Sequence, residues 1–165
     1  MPLAPVQTPS AMTIATDPVF FRLLADSYKR LLACPPPFLE GCDGDGPDWL
    51  YSRAPNCVLA HNTADDPLFL YANKAAQALF EYEWDEIVGM PSRLSAEAPN
   101  RAERQRLLDA VSRDGFATGY SGIRISKSGR RFRIENGVLW QLRDARGTLH
   151  GVAATFSNWT SLIER

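Results

Sequence analysis

The sequence predicts an α+β domain, in which helices cross one face of a five-stranded antiparallel sheet and an amphipathic helix lies N-terminal to the sheet. One observation behind this is a compact strand–helix–helix unit at residues 68–90. A second is a run of three strands near the C-terminus, at 120–126, 131–142 and 150–159. The middle strand alternates polar and apolar residues, which is typical of an antiparallel sheet with one wet face and one packed face.

Length and composition indicate one ordinary globular domain with an appendage. The chain has 165 residues, of which 45% are hydrophobic and 22% charged, and its formal net charge is -1. This balance offers no electrostatic attraction for nucleic acid or an anionic membrane, and neither is expected as a partner. No stretch is long enough to span a bilayer and the N-terminus lacks signal-peptide features, so we expect a cytoplasmic location. The three cysteines are then expected to be free thiols.

The beginning of the chain divides into two segments. Residues 1–16 contain three prolines among small polar residues and are expected to form a disordered lead-in, with Met1 or Met12 as the start. Residues 17–33 are predicted to form an amphipathic helix, because Asp17 is a favourable N-cap and a run of prolines follows the helix. Its apolar stripe packs on its own domain or against a second subunit. Of these two, we favour a homodimer through this helix.

Residues 34–48 are rich in proline and glycine and are predicted to form a loop. The three aspartates of this loop lack the spacing and the terminal glutamate of a calcium-binding loop, so no metal site is expected. The main domain is expected to span residues 49–160, followed by a short tail at 161–165.

The strand–helix–helix unit follows from local residue preferences. Aromatic and aliphatic residues at 68–71 favour a buried strand. Asn73 is placed to cap a helix over 74–80, and a second short helix over 84–88 ends at Gly89. A strand over the residues CVLAH precedes this unit, and an amphipathic helix with the sequence RAERQRLLDAVSRD follows it.

Ligand-binding candidates come from the predicted packed face of the sheet, opposite the amphipathic helix. Strict alternation places Ile134, Asn136 and Trp140 on one face of the middle strand, where Asn136 is a polar residue in an apolar row. A buried amide needs a partner, which is either a neighbouring polar group or a bound molecule. The predicted ligand-binding residues are Asn136, Trp140, Ile123, Ile125, Ile134 and Phe156.

A basic hairpin joins the first two of the three C-terminal strands. We predict that its cations lie on an exposed strand face and turn, without the stacking aromatic residues that nucleic-acid binding uses. A solvated hairpin is therefore expected. The basic residues are Arg124, Lys127, Arg130, Arg131 and Arg133.

Several runs of sequence resemble known families. The stretch LFLYANKAAQALFEYEWDEIVGM at 68–90 resembles the signature region of PAS sensor domains. Four further runs resemble the MEKHLA domain family: PSRLSAE at 91–97, GYSGIRIS at 119–126, GRRFRIE at 129–135 and GVAATF at 151–156. The resemblance covers residues 17–159 and implies a PAS-like fold with a sensing or interaction role. It brings no catalytic residues with it.

Three functions are compatible with these patterns. The first is a sensory or regulatory module that binds a small molecule and signals through helix-mediated dimerisation or partner contact. The second is a ligand-free module for protein interaction or dimerisation. The third is an isomerase- or dehydratase-like enzyme, which needs carboxylate pairs or a histidine–carboxylate pair in its cavity. The predicted inward residues include no acid, so we favour a non-enzymatic sensory module.

No cofactor is assigned from the sequence. The PAS resemblance implies that a photoactive flavin domain carries a cysteine in the helices after the signature, and residues 74–114 contain none. It implies that a haem domain supplies a histidine from the long helix, and residues 92–114 contain none. We expect a colourless protein. A non-covalent flavin and a colourless metabolite both stay open as ligands.

Overall fold

Six antiparallel strands form one sheet in the computed structural model, which describes residues 14–162. The strands are β1 Cys57–His61, β2 Phe69–Ala72, β3 Phe116–Ile125, β4 Arg131–Arg143, β5 Leu149–Phe156 and β6 Asn158–Leu162. Five of them lie in the order β2-β1-β5-β4-β3, and β6 extends the line of β5 along the first half of β4. The predicted fold class is confirmed. The predicted lead-in and tail lie outside the described residues, except for positions 14–16 and 161–162.

The helices lie on both sides of this sheet. The N-terminal helix α1 is Pro18–Leu32, and α2, Gly46–Asp48, runs directly into a π-helical turn, Trp49–Arg53. Three helices follow β2: α3 Lys74–Phe80, α4 Trp84–Ile87 and α5 Ala98–Asp114. One 3-10 turn, Pro37–Leu39, lies between α1 and α2, and another, Ser92–Ser95, lies between α4 and α5. Within residues 14–162, no helix has both the length and the apolar character needed to cross a membrane.

Asn73 fixes the start of α3 against the sheet. Its side-chain oxygen accepts hydrogen bonds from the backbone N–H groups of Ala76 at 3.2 Å and Val58 at 3.0 Å. Its amide nitrogen donates to the carbonyl oxygens of Leu50 at 3.1 Å and Asn56 at 2.8 Å. A fully buried amide with four partners has met its hydrogen-bonding needs, so the predicted N-cap also joins β1 to the π-helical turn.

The N-terminal helix covers one face of the sheet, the outer face, which carries Val58, Trp140 and Leu142. Leu24 and Tyr28 of α1 are buried, and the Tyr28 ring meets the Trp140 ring edge-on at 5.1 Å between centroids. Phe38 stacks on the same indole at 5.8 Å. The outer face is therefore dry under α1, and the expectation of a fully wet face is wrong there. The apolar stripe of α1 packs on its own domain, and a homodimer through residues 17–33 stays a prediction.

A β-bulge at Asn136 divides β4 into two halves of opposite phase. Tyr120 pairs with Gly137 while Gly122 pairs with Ile134, so β4 holds one more residue than β3 across this interval. Asn136 adopts a left-handed conformation with φ 54°, which asparagine tolerates better than most residues. The extra residue reverses which side chains face inward beyond it.

Candidate ligand-binding site

A cavity of about 80 Å³ lies between α5 and the inner face of the sheet, which carries Leu59, Ile134 and Phe156. Its walls are mainly aliphatic and aromatic side chains from the first five strands and from α3 and α5. An apolar enclosure of this kind with a few polar groups is the usual form of a small-molecule site. The apolar wall is formed by Leu59, Phe69, Phe80, Leu107, Leu108, Ile134, Leu139, Val152, Ala154 and Phe156.

One end of the cavity is polar and is built around Ser92. The guanidinium of Arg104 on α5 donates a hydrogen bond to Ser92 Oγ, and Nδ1 of His61 lies 3.1 Å from the same oxygen. Burial, and next the charge of Arg104, lower the pKa of His61 to about 4. The ring is therefore neutral at pH 7, and its Nδ1 can accept a hydrogen bond from the Ser92 hydroxyl group.

The second cation at the cavity is Arg124 of β3, whose side chain is only 7% exposed. Its Nη1 donates to the Ile123 carbonyl at 2.7 Å, and its guanidinium lies over the Tyr120 ring at 5.3 Å from the centroid. The nearest Glu103 oxygen is 3.9 Å away, which is too long for a hydrogen bond. The other Glu103 oxygen is buried without a hydrogen-bond partner.

Gly122 leaves the space in which these groups meet. A Cβ at this position would lie 2.8 Å from Glu103 Oε1, 2.9 Å from Tyr120 Cε2 and 3.1 Å from Arg124 Nη1. Real Cβ atoms essentially never come within 3.0 Å of a neighbour, so a side chain here would displace the Glu103 carboxylate and the Tyr120 ring. The glycine is therefore part of the polar end of the cavity.

Two of the six predicted site residues line this cavity, Ile134 and Phe156. Ile123 and Ile125 lie on the opposite face of β3, because they pair directly with Arg133 and Arg131. Directly paired residues of an antiparallel sheet share a face, so the predicted inward position of these two isoleucines is wrong. Their ligand-binding role stays a prediction, but this cavity does not include them.

Asn136 and Trp140 also lie outside the cavity. Asn136 is exposed at the bulge, and Trp140 is fully buried on the outer face beneath α1. The predicted common face with Ile134 is wrong because the bulge interrupts the alternation on which it depended. The sequence pair Asn136–Gly137 was an available signal, since both residue types tolerate the positive φ that such bulges use.

Tyr120, Gly122 and Arg124 are the site residues of β3 that the sequence analysis missed. Arg124 pairs with Phe132, an inward residue, and is buried, so its assignment to the solvated hairpin is wrong. Counting the residue pairs outward from the hairpin tip places Arg124 opposite Phe132. Because Phe132 is an apolar residue predicted to face inward, the sequence contained a signal for the inward position of Arg124. Three other hairpin cations bind groups of the same chain: Lys127 binds Glu86, Arg131 binds Glu97, and Arg130 donates to the Leu79 carbonyl.

The cysteines lie apart from the cavity lining. Cys57 is buried in β1, where burial raises the pKa of its thiol to about 12, and Cys34 and Cys42 lie in the segment between α1 and α2. Within the described range, no cluster of three or more histidine, cysteine, aspartate or glutamate side chains is arranged to hold a metal ion.

Solved structures similar to this fold include PAS and light-oxygen-voltage domains. The PAS domain of a protein from Colwellia psychrerythraea aligns with a TM-score of 0.54 and 16% identity, covering 70% of this chain and 92% of that one. A light-oxygen-voltage domain studied with a flavin analogue aligns at 0.54 and 16%, covering 66% and 78%. The dark structure of the blue-light photoreceptor Aureochrome1 aligns at 0.52 and 15%, covering 66% and 76%. At these identities the likeness shows the fold alone.

Sequence comparison identifies the family directly. No curated protein matches the chain. The MEKHLA domain model, however, matches residues 19–161, which include every residue of the cavity and all six strands except the last residue of β6. The chain is therefore a member of the MEKHLA domain family and has a PAS-like fold.

Proposed function

We propose that this MEKHLA domain is a sensory or regulatory module that binds a small molecule in the cavity between the inner sheet face and α5. The observation that carries the proposal is the polar end of the cavity, where Arg104 and Arg124 meet an otherwise apolar enclosure. A buried cation is costly unless it is closely paired. Buried Arg124 has only the 3.9 Å contact with Glu103, and half-buried Arg104 makes no hydrogen bond to a carboxylate among the described residues.

The position of the cavity suits a role in signalling. Arg104, Leu107 and Leu108 of α5 face residues of β1 and β5 across it, so a bound molecule would contact both the helix and the sheet. A ligand shifts a conformational equilibrium only through different contacts in the two states. Contacts that join α5 to the sheet would favour a docked helix and thereby change the surface offered to a partner.

The proposal does not require catalysis. No aspartate or glutamate lines the cavity itself, although the Glu103 carboxylate lies 3.9 Å behind Arg124, and His61 is held neutral against Ser92. A carboxylate pair or a histidine–carboxylate pair would be needed for proton-transfer chemistry of the isomerase type. We therefore regard the module as a binding protein, with the cytoplasmic location as a further expectation.

Native mass spectrometry combined with a cavity-filling variant tests the proposal. Ala154 lines the cavity, and Ala154→Leu adds three heavy atoms to it, whereas Ala145→Leu at an exposed turn is the matched control. We expect native wild type and the control to exceed their denatured masses by one small molecule, and Ala154→Leu to lack it. If no small molecule is retained and no metabolite raises the melting temperature of wild type, the proposal fails.

A second candidate function is partner docking through α1, including the homodimer predicted from residues 17–33. The observation that favours it is Val19, which is 66% exposed on α1 beside the half-buried Phe20 and Leu23. Sedimentation of wild type and Val19→Asp tests the homodimer. A wild-type dimer that the substitution dissociates would support it, and a wild-type monomer at high concentration would exclude it.

A further inference from the structure

We propose that the cavity binds a small organic monoanion, whose carboxylate lies between the guanidinium groups of Arg104 and Arg124. This inference rests on the proposed function, because it names the chemical class of the molecule that the cavity holds. It is carried by the hydrogen bonds of the two arginines, by the charge balance around them, and by the apolar remainder of the wall.

Arg124 is positioned to bind but is not neutralised by a close contact. Its side chain is 7% exposed, and its position is fixed by the Ile123 carbonyl at 2.7 Å and by the face of the Tyr120 ring. The carbonyl engages one of the five N–H donors of the guanidinium. The Glu103 carboxylate, at 3.9 Å, attracts the charge without accepting a hydrogen bond. Donors of a fixed guanidinium therefore remain for a ligand.

Arg104 approaches the cavity from the opposite side, on α5. Its guanidinium donates to Ser92 Oγ, and no carboxylate of residues 14–162 lies within 4.0 Å of it. Burial, and then the charge of Arg124, lower the pKa of Arg104. The two cations are therefore close enough to repel each other, and an anion between them would relieve both the repulsion and the desolvation.

Formal charge identifies a monoanion. Arg101, Glu103 and Asp66 are the other charged groups that act on the two arginines, and His61 is neutral. The three arginines and two carboxylates together leave a formal excess of a single positive charge. One carboxylate cancels this excess. Its two oxygens also match the forked geometry in which guanidinium groups donate, and hydrogen bonds of this charged kind are the stronger ones.

The rest of the cavity selects an organic acid over an inorganic anion. About 80 Å³ is available, and beyond the polar end the wall is apolar. An inorganic phosphate carries more charge than the site balances, and it offers no apolar surface to Leu59, Phe80 or Ile134. A short aliphatic or small aromatic chain attached to the carboxylate would fill this part of the cavity and gain from burial there.

Thermal-shift titration with acetate, propionate, butyrate and hexanoate tests the inference, with butyramide and inorganic phosphate beside them. Butyramide preserves the size and shape of butyrate and removes its charge. We expect one or more carboxylates to raise the melting temperature of wild type above pH 6.5, where the acids are ionised, and butyramide and phosphate to have no effect.

Substitutions of Arg104 test whether carboxylates bind at the polar end of the cavity. We expect Arg104→Gln to weaken carboxylate binding by about tenfold or more, and Arg104→Lys to keep part of it, because lysine retains the charge but not the fork. Arg106→Gln, exposed on the same helix, should bind as wild type does. Arg104 is half-buried and is a safer site for substitution than the deeply buried Arg124, so these variants are expected to fold.

The outcomes separate the two proposals. If butyramide stabilises as well as butyrate, or Arg104→Gln binds carboxylates as wild type does, the anion inference is wrong while small-molecule binding stands. A neutral compound identified by native mass spectrometry as the retained ligand would have the same consequence, whereas a retained carboxylic acid would support the inference. If no carboxylate binds and nothing is retained, both proposals fail.

Discussion

Trp140 Nε1 donates a 3.0 Å hydrogen bond to Ser27 Oγ, joining β4 to a helix that lies 113 residues earlier in the chain. Both groups are buried, and the indole is also enclosed by the rings of Tyr28 and Phe38. A buried N–H donor is expensive to leave without a partner. This contact therefore makes α1 part of the domain and not an appendage to it.

Replacing the acceptor should expose that dependence. Ser27→Ala leaves the Trp140 N–H unpaired in an apolar setting, and we expect it to lower the free energy of unfolding by about 1–3 kcal/mol. Asp26→Ala, at the neighbouring exposed position, should change it by less than about 0.5 kcal/mol. Chemical denaturation of both variants is the measurement. Equal stability of the two would mean that α1 does not depend on this bond.

The sequence was sufficient for the fold because local signals and global topology agree. The cap at Asn73 and the helix that follows it are local preferences that the structure retains. The face of a strand residue, in contrast, depends on every residue between it and a known reference point. One bulge at Asn136 was enough to move Trp140 from the predicted cavity to the opposite side of the sheet.

The site was only partly predictable for the same reason. Ile134 precedes the bulge and lies where alternation placed it, in the cavity wall. The prediction from the sequence assigns Arg124 to the exposed face and turn of a basic hairpin. Its inward position could have been read from its pairing with Phe132, whereas its contacts with Tyr120, Gly122 and Glu103 arise only in three dimensions.

The backbone conformation at Asn136 predicts which substitutions the bulge tolerates. Asn136 is exposed with φ 54°, so its role is conformational, and a β-branched residue is strained in that region. We expect Asn136→Val to cost about 1–2 kcal/mol of stability and Asn136→Gly to cost little or nothing. Thermal and chemical denaturation of both variants would test this. If valine is tolerated as well as glycine, the bulge is not maintained by the backbone preference of this residue.

Gly151 predicts a second backbone constraint, next to the cavity. A Cβ at Gly151 would lie 2.0 Å from the His61 carbonyl oxygen, whereas at Gly147, with φ +83°, nothing lies within 4 Å of it. Gly147→Ala should therefore cost about 1–2 kcal/mol through backbone strain alone. We expect Gly151→Ala to cost more, because β5 must also move away from β1. Similar losses for the two substitutions would contradict this close strand contact.

The buried His61 makes the free energy of unfolding depend on pH between about 4 and 6.5. Burial, and next the charge of Arg104, lower its folded-state pKa from 6.5 to about 4. The unfolded chain therefore takes up a proton at a higher pH than the folded one. The free energy of unfolding must then increase with pH between about 4 and 6.5, and it must fall as the solution is acidified through that range.

The size and origin of this effect can be measured directly. One pKa unit corresponds to about 1.4 kcal/mol, so we expect a loss of about 2 kcal/mol between pH 7 and pH 5. The carboxylates whose pKa values are lowered, Glu81, Glu86, Glu97 and Asp144, lose their contributions mainly below about pH 5, outside this interval. Urea denaturation at pH 5 and pH 7 should show the loss in wild type and in His150→Gln, which alters the exposed histidine, but not in His61→Gln. If His61→Gln loses as much stability as wild type, another group is responsible, and the buried neutral histidine at the end of the cavity is not the origin of the effect.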